Sequence, residues 1–375
     1  MDIKSKVLAL KYRPKVFSDL IGQEEVGQTI YNSIKYKKIP NAFLFTGIRG
    51  VGKTTFARIV AKALNCKEDI NNLCKKNFCE NCLSIINSNH IDVLEIDAAS
   101  KTGVDDVREL IEFSRYPPSI AKFKVFIIDE VHMLSKQAFN ALLKTLEEPP
   151  KYLKFIFATT EVKKIPITVI SRCQRYDLPR IKSDELFNFI KDVGEKENKK
   201  IEDNAIKLIV KISEGSVRDA LSLLDRALIS TNNDMLTFEL AQKIFGYVDK
   251  SSYIDLIKLI FNGEESQVLK HYRNLHDIGV EPINFLNDFL EILYYFKNIN
   301  SLEEASKNFD LNNDEFELVK KISSSLDTQT LILFWQFTIN TLGELSVVSD
   351  QNISVEMFLI RLIYIKSVKT KEIKN

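Results

Sequence analysis

The sequence has no apolar run of transmembrane length, and no hydrophobic signal region follows Met1. It also lacks a net charge of either sign, since 52 Lys and Arg residues stand against 51 Asp and Glu residues. The first two absences predict a cytoplasmic protein with no membrane partner. The third excludes a uniformly basic nucleic-acid binder, although a local basic patch is still compatible with it.

Cysteine is scarce, and four of the five cysteines lie between residues 66 and 82. In a cytoplasmic chain this clustering favours a metal site over disulfides. Four thiolates close a tetrahedral Zn²⁺ site with no open position, so the predicted ion is structural. Unpaired reduced thiols are the alternative, because the spacing C-x₇-C-x₄-C-x₂-C has a long first gap. The fifth cysteine, Cys173, is predicted to be a small buried hydrophobe. The predicted zinc ligands are Cys66, Cys74, Cys79 and Cys82.

One phosphate-binding pattern, G-x-x-x-x-G-K-[ST], occupies residues 47–54. A buried strand is predicted at 41–46 and a helix at 55–64, the setting that this pattern requires and that a chance glycine-rich turn lacks. Backbone N–H groups and Lys53 would hold phosphates, and the Thr54 hydroxyl would bind Mg²⁺. The predicted nucleotide-binding residues of this stretch are Gly47, Ile48, Arg49, Gly50, Val51, Gly52, Lys53, Thr54 and Thr55.

A strand is predicted at 92–97, and a further apolar strand, predicted at 123–130, ends in two carboxylates. Asp129 is expected to hold Mg²⁺, and Glu130 to orient or deprotonate the attacking water. The alternative is an acidic strand end that caps the next helix. Another strand, predicted at 153–160, has the polar end Thr159-Thr160-Glu161, which would lie beside these carboxylates. A hydroxyl or a carboxylate there could sense the γ-phosphate.

Strands that alternate with helices predict a three-layer α/β fold with a parallel sheet, and its ligand at the carboxyl ends of the strands. From Ile181 onward the pattern is all-helical, and no strand signal follows Gly246. The apolar faces of the helices beyond Gly246 favour packing in a core as their main use. Oligomerisation is the second use that they allow. The predicted divisions are a nucleotide-binding domain at 1–179 with the cysteine insert at 66–82, a helical domain at 180–245, an all-α domain at 246–368 and a frayed tail at 369–375.

Helix starts are predicted at three capping residues, Ser135, Asp203 and Ser216. The helix after Ser216 carries Arg218 away from its apolar stripe, so Arg218 is free to reach outside its own small domain. A surface charge arrangement with Asp225 is the alternative. Near the N-terminus, Tyr12 and Arg13 could flank a base, because an aromatic face and a guanidinium both stack. The alternative for Tyr12 is a half-buried surface aromatic.

These motifs together resemble the AAA+ class of ATPases and, within it, the gamma/tau family of DNA polymerase III, the ATPases of the bacterial clamp loader. The resemblance is dense from about residue 8 to residue 230 and only architectural beyond residue 246. The family's usual cysteine spacing is tighter than the one found here. The stretches that carry the resemblance are 11–14, 19–23, the cysteine insert, 128–134, 139–150, 171–173 and 215–220.

The resemblance implies a fold and a set of site residues. The fold would be a P-loop AAA+ domain with a zinc insert, a small helical lid and an all-α collar. Arg172, in Ser-Arg-Cys, matches the arginine finger that reaches into the ATP site of a neighbouring subunit. Arg218 matches sensor 2, which contacts the γ-phosphate from the lid, and Thr159 matches sensor 1. The implied cofactors are ATP, Mg²⁺ and structural Zn²⁺.

The resemblance also implies a function, that of an ATPase motor subunit within the DNA polymerase III holoenzyme, a DNA-directed DNA polymerase. Its ATP hydrolysis would open the sliding clamp and load it on primed DNA, and the chain length matches the short gamma form. The implied partners are delta-type and delta-prime-type subunits, further copies of the chain, the beta sliding clamp and primer–template DNA.

Two alternatives to this motor remain open. One is a catalytically silent structural subunit of the clamp loader, against which the intact Lys53, Thr54, Asp129 and Glu130 argue. The other is an AAA+ DNA remodeller or helicase motor. The Ser-Arg-Cys motif and the cysteine insert argue against that second alternative.

Overall fold

The computed structural model of the chain describes residues 7–68, 73–74, 77–100, 102–231, 235–302, 313–323 and 327–372. The chain forms two compact units, residues 1–237 and residues 238–375. The nucleotide-binding and lid regions predicted from the sequence therefore fall largely within one unit. The predicted boundaries at 179, 245 and 368 stay predictions.

The N-terminal unit is built on five parallel strands. They are β1 (Ala42–Thr46), β2 (Val93–Asp97), β3 (Lys124–Asp129), β4 (Leu153–Thr159) and β5 (Gln174–Asp177). Their order in the sheet is β2-β3-β4-β1-β5, and each neighbouring pair is parallel. The parallel sheet predicted from the sequence is confirmed. Strand β5 was missed, because only Tyr176 among its four residues is buried and no apolar run marks it.

Ten helices of the N-terminal unit connect or follow these strands within the described residues. They are α1 (Leu8–Lys11), α2 (Glu24–Lys35), α3 (Lys53–Asn65), α4 (Glu80–Ile86), α5 (Val104–Ser114), α6 (Lys136–Glu147), α7 (Ile167–Ile170), α8 (Ser183–Lys196), α9 (Asp203–Ser213) and α10 (Val217–Ser230). Helices α8, α9 and α10 form the small helical region predicted after residue 180.

Helices cover both faces of the sheet. Side chains alternate between these faces along each strand, so a central strand packs against both helical layers. On one face Leu44 and Phe155 pack in a single buried cluster with residues of α5 and α6, among them Leu142. On the other face the ring of Phe45 lies 5.1 Å from the ring of Phe56 on α3. The three-layer α/β fold predicted from the strand–helix alternation is therefore confirmed.

The structure tests the three predicted helix caps. The Ser135 hydroxyl accepts a hydrogen bond from the Ala138 N–H, and the Ser216 hydroxyl accepts one from the Asp219 N–H, so both caps are confirmed. The Asp203 cap is wrong. Glu202 has the extended backbone of a cap residue, whereas Asp203 is already helical and its carboxylate accepts from Lys191 at 3.0 Å.

The C-terminal unit is helical throughout its described residues. Its helices are α11 (Phe238–Phe245), α12 (Lys250–Asn262), α13 (Glu265–Asp277), α14 (Pro282–Leu302), α15 (Asn313–Ser323), α16 (Thr328–Glu344) and α17 (Gln351–Glu372). Helices α12 to α17 share one buried core that includes Tyr253, Phe289 and Phe358. Helix α13 was missed because it is mostly polar and buries only three residues.

Two sequence predictions in this unit fall partly outside the described residues. The acid-rich composition of residues 298–313 predicts a polar linker; residues 303–312 of it lie outside the described residues, and helix α14 continues to Leu302. Of the predicted frayed tail, residues 373–375 lie outside them, and helix α17 runs to Glu372. No helix in the described part of the chain is both long and apolar enough to span a bilayer.

Candidate active site

A cleft of about 750 Å³ opens beside the carboxyl ends of β2, β3 and β4 in the N-terminal unit. Parallel α/β sheets bind ligands at this edge. The cleft walls come from the segment before α2, the glycine-rich loop, the acidic end of β3 and the lid helix α10. Residues that are far apart in sequence therefore meet in one concave site.

The glycine-rich loop lies directly against the lid helix α10. Gly50 and Gly52 have φ angles of 79° and 101°, which residues with a side chain adopt only with strain. A Cβ atom on Gly50 would lie 1.9 Å from the Ser216 hydroxyl. The Arg218 N–H donates to the Gly50 carbonyl over 3.2 Å. Glycine at position 50 thus permits α10 to pack on the loop.

Lys53 points back into the glycine-rich loop. Its ammonium donates to the Gly47 carbonyl at 3.1 Å and to the Ile48 carbonyl at 2.9 Å. Burial lowers the pKa of Lys53, and the carboxylates of Glu130 and Asp129 act in the opposite direction. The two carbonyls thus hold the ammonium group of Lys53 against the glycine-rich loop. A positive charge beside the N–H groups of such a loop suits phosphate oxygens.

Two predicted Mg²⁺ ligands are hydrogen-bonded to each other. The Thr54 hydroxyl donates to the Asp129 carboxylate over 2.5 Å. Burial raises the pKa of Asp129, although the bonds from Thr54 and from the Glu130 N–H oppose this. A hydroxyl and a carboxylate that converge at one point are oxygen donors of the kind Mg²⁺ prefers. The residues present therefore fit Mg²⁺.

Glu130 is oriented by Thr160 rather than by Thr159. The Thr160 N–H and hydroxyl both donate to one Glu130 carboxylate oxygen, over 3.2 and 3.1 Å. Thr159 is fully buried, and its hydroxyl lies 3.0 Å from Nδ1 of His132. Thr160 lines the cleft, and Thr159 is absent from the described lining. The sequence reasoning named Thr159 as the sensor and noted Thr160 only as part of the polar strand end.

Tyr12 and Arg13 both line the cleft. The Tyr12 hydroxyl donates to the carboxylate of Glu197, the residue that follows α8, and burial together with this carboxylate raises the pKa of Tyr12 to about 12. Nε of Arg13 donates to the Thr55 hydroxyl over 2.9 Å, and burial lowers the pKa of Arg13 to about 10. These two contacts connect the segment that contains Tyr12 and Arg13 both to the lid and to the P-loop helix α3.

Gln23, Asp97 and Phe189 are among the cleft residues that were not predicted from the sequence as site residues. The amide of Gln23 donates to the Pro179 carbonyl over 3.0 Å. Asp97 ends strand β2, so its position at the sheet edge was a usable signal. Phe189 lies on the lid helix α8, and only the tertiary structure brings that helix to the cleft.

The two candidate arginines differ in position. Arg218 lines the cleft of its own chain. Arg172 is not among the described residues that line it, and its guanidinium donates to the Glu147 carboxylate and to the Thr168 carbonyl, each at 2.6 Å. One arginine therefore faces the site within the chain and the other does not.

The four clustered cysteines come together at the end of α3. Their sulfur atoms all lie within 4.8 Å of one another, and the Cys66 and Cys74 sulfurs are 3.5 Å apart. A tetrahedral zinc site with Zn–S distances of about 2.3 Å requires S···S distances of about 3.8 Å. Burial raises the pKa of Cys79, but backbone N–H bonds from Lys67 and Cys82 outweigh it and bring that pKa to about 7. The cluster is compatible with zinc.

A phosphate-binding loop on α3, carboxylates at the end of β3 and an arginine from a helical lid converge on one cleft of a parallel α/β sheet. These features define an ATPase of the AAA+ class.

Three family models match successive parts of the chain. "DNA polymerase III, delta subunit" matches residues 22–182, and "DNA polymerase III clamp loader subunit, ATPase lid domain" matches residues 187–233. "DNA polymerase III subunits gamma and tau domain III" matches residues 236–374. The matched regions together cover most of both compact units.

Individual relatives agree with these models. The DNA polymerase III subunit gamma of Buchnera aphidicola subsp. Baizongia pistaciae is 38% identical over 95% of this chain and 96% of its own length. The subunit tau of Escherichia coli is 35% identical over 95% of this chain and 55% of its own length. The subunit tau of Bacillus subtilis is 43% identical over 77% of this chain and 50% of its own length. The chain thus spans nearly all of the gamma relative and about half of each tau relative.

The chain belongs to the gamma/tau family of DNA polymerase III. It is a clamp-loader subunit with an AAA+ ATPase domain, as the resemblance in its motifs implied.

Proposed function

We propose that ATP binding and hydrolysis at this cleft drive the opening of a sliding clamp and its loading on primed DNA. The observation that carries the proposal is the convergence of Lys53, Thr54, Asp129 and Glu130 on one cleft beneath Arg218. A chain that only braced an assembly would have no need of this full set of groups.

The residues of the cleft divide the reaction among them. Lys53 and the N–H groups of the glycine-rich loop hold the phosphates, and Thr54 with Asp129 hold Mg²⁺. When bound, Mg²⁺ neutralises charge that develops on the phosphate oxygens. Glu130, hydrogen-bonded to Thr160, orients the attacking water and accepts its proton. Arg218 reads the γ-phosphate from the lid and couples nucleotide state to lid position.

Arg172 completes a site in trans. Its guanidinium pairs with Glu147 at the surface, and an exposed pair of this kind contributes only about 0–1 kcal/mol. Exchange of Glu147 for a γ-phosphate on a neighbouring subunit therefore costs little. Hydrolysis would then depend on assembly, as in NTPases whose arginine is supplied by a second protein.

The partners of such a motor are other clamp-loader subunits of the delta and delta-prime type, further copies of the chain, the sliding clamp and primer–template DNA. The contacts with DNA are mainly to phosphates, so DNA-stimulated hydrolysis should weaken as salt rises. We place the protein in the cytoplasm.

Clamp loading on primed DNA tests the motor. The full chain is mixed with candidate delta-type and delta-prime-type subunits, a sliding clamp and primed circular DNA, and clamp transfer and ATP hydrolysis are followed together. We expect both to require ATP and the primed template. Clamp transfer that survives a Lys53→Ala change in every copy would support a silent structural subunit, and strand displacement without a clamp would support a helicase motor.

The cysteine cluster is the proposed site of a structural Zn²⁺ ion. The four sulfurs leave no position for a substrate, since all four tetrahedral ligands come from the protein. Metal analysis of the purified full chain should find about one Zn²⁺ per chain, and a Cys79→Ser variant should retain much less. A small fraction of one Zn²⁺ per chain in the unmodified protein would exclude the site.

A further inference from the structure

The cysteine cluster lies at the carboxyl end of the helix whose first turn holds phosphates. Helix α3 begins at Lys53 and ends at Asn65, and Cys66 is its C-cap residue. The carboxyl end of a helix carries about half a negative charge. Four thiolates around one Zn²⁺ ion add a net charge of about −2. Three of the four cysteines are buried, so this negative charge needs a nearby cation.

Lys62 supplies a cation at this point. It stands four residues before Cys66, on the same face of α3, and only 3% of its surface is exposed. Burial lowers the pKa of Lys62, and Cys82, Cys66, Asp19 and Cys74 act in the opposite direction. A lysine is rarely buried to this extent without a charged partner, and three of the four groups that oppose the effect of burial are cysteines of the cluster, which become thiolates when zinc binds.

The Lys62 ammonium also makes two neutral contacts. It donates to the backbone carbonyl of Lys15 and lies 4.6 Å from the centre of the Phe78 ring. Phe78 packs against the cysteine cluster, whereas Lys15 follows the Tyr12–Pro14 segment that lines the nucleotide cleft. One side chain thus touches the insert on one side and, on the other, the residue that follows the cleft-lining segment.

We propose that Lys62 is the buried counter-charge of the cysteine cluster and fastens the cleft-lining segment to it. This inference rests on the zinc site proposed above. In this role Lys62 touches neither zinc nor nucleotide and acts through the thiolates and through the Lys15 carbonyl. Loss of a group that supports metal ligands typically costs 10–100-fold in metal affinity.

Zinc release tests the counter-charge. The full chain is loaded with one Zn²⁺, and the rate of transfer to a chromophoric chelator is measured at fixed pH for three variants. Lys62→Met removes the charge and the donor, Lys62→Gln removes the charge but keeps an N–H donor for the Lys15 carbonyl, and Lys62→Arg keeps the charge. We expect Met and Gln to release zinc at least tenfold faster than the unmodified chain, and Arg to stay within about threefold.

Lys124→Met is the matched control. Lys124 is also buried, donates to the Phe113 carbonyl over 2.9 Å and lies 3.7 Å from the Phe113 ring, but no cysteine is among the groups that shift its pKa. This variant should lower the melting temperature without changing zinc release. Thermal melts of every variant identify those that fold, and Lys62→Gln, which keeps an N–H donor, decides the outcome if Lys62→Met does not fold.

The outcomes separate this inference from the zinc site itself. If the unmodified chain holds no zinc, the proposed site is wrong and the inference falls with it. If the unmodified chain holds zinc and Lys62→Gln releases it at the unmodified rate, the zinc site stands and the inference is overturned. If Lys124→Met releases zinc as fast as Lys62→Met, the inference is likewise overturned, because loss of any buried lysine would then speed zinc release.

Discussion

The guanidinium of Arg172 donates to the Glu147 carboxylate over 2.6 Å, away from the residues that line the nucleotide cleft of the same chain. The two residues lie in separate motifs of the sequence, at the end of helix α6 and after helix α7. The pair keeps the proposed finger at the surface, where a neighbouring subunit can receive it.

Replacement of Arg172 by alanine should leave nucleotide binding intact and remove assembly-dependent hydrolysis. We expect turnover in the full assembly to fall by about 10³-fold or more, the scale of an arginine finger in other NTPases. Steady-state ATPase with primed DNA and fluorescent-nucleotide binding measure the two effects. Arg175→Ala is the control, because Arg175 is also exposed and ion-paired, with Asp177. Normal hydrolysis by Arg172→Ala in the assembly would refute the finger assignment.

Replacement of Lys53 by alanine should abolish nucleotide binding, because the loop would lose the ammonium group that is proposed to hold the phosphates. Isothermal titration with a non-hydrolysable ATP analogue measures this loss. Lys136→Ala is a suitable control, since Lys136 lies exposed on α6 and outside the described lining of the cleft. Retention of near-normal affinity by Lys53→Ala would show that phosphates bind elsewhere.

A pair of threonine variants should distinguish the two residues at the end of β4. Thr160→Val removes the hydroxyl bond to Glu130 and keeps the N–H bond. We expect kcat to fall about tenfold at unchanged nucleotide affinity, the equivalent of one hydrogen bond of roughly 1.4 kcal/mol. Thr159→Val breaks the contact with His132 instead. If only Thr159→Val lowers kcat, Thr159 is the sensor and the bond from Thr160 is incidental.

Asp92 should stabilise the loop that leads into β3, and its contribution should depend on pH. Its carboxylate accepts the N–H groups of Ser119, Ile120 and Ala121 at 2.8–2.9 Å. Burial raises the pKa of Asp92, but these three bonds outweigh it and leave the pKa below its ordinary value. Asp92→Asn should therefore lower the free energy of unfolding at neutral pH by about 1–3 kcal/mol.

The sign of the pH dependence follows from the lowered pKa. The stabilisation by Asp92 is complete above the unfolded pKa of about 3.9 and is lost as pH falls through the folded value. Denaturant unfolding between pH 7 and pH 2.5 should show the two proteins converging only at the acid end. Asp105→Asn is the control, because Asp105 is exposed and pairs only with Arg108 among the contacts described for it. A constant difference at all pH values would contradict the assignment.

Local patterns predicted most of the fold. The apolar central strands β1, β3 and β4 and the amphipathic helices between them follow from residue order alone, because burial of a central strand requires a continuous apolar run. Strand β5 is polar at three of its four positions and is a strand only because β1 lends it hydrogen-bond partners. Helix α13 was missed for a similar reason, since most of its surface faces solvent.

The candidate site was likewise predicted only in part from the sequence. Short motifs predicted Lys53, Thr54, Asp129 and Glu130, since phosphate and Mg²⁺ binding require those groups at nearly fixed spacings. Sequence spacing could not say which threonine of β4 reaches Glu130, because adjacent residues of a strand point to opposite faces. Nor could it predict that Phe189 meets the cleft.

The sequence by itself determined the class of chemistry, the parallel sheet and the clustering of the four cysteines, because each depends on residue types at short separations. Tertiary structure alone decided that Gly50 packs on Ser216, that Thr160 holds Glu130 and that Lys62 contacts both Phe78 and the Lys15 carbonyl. Those relationships join residues from different elements, and their distances are set by how the elements pack rather than by the spacing along the chain.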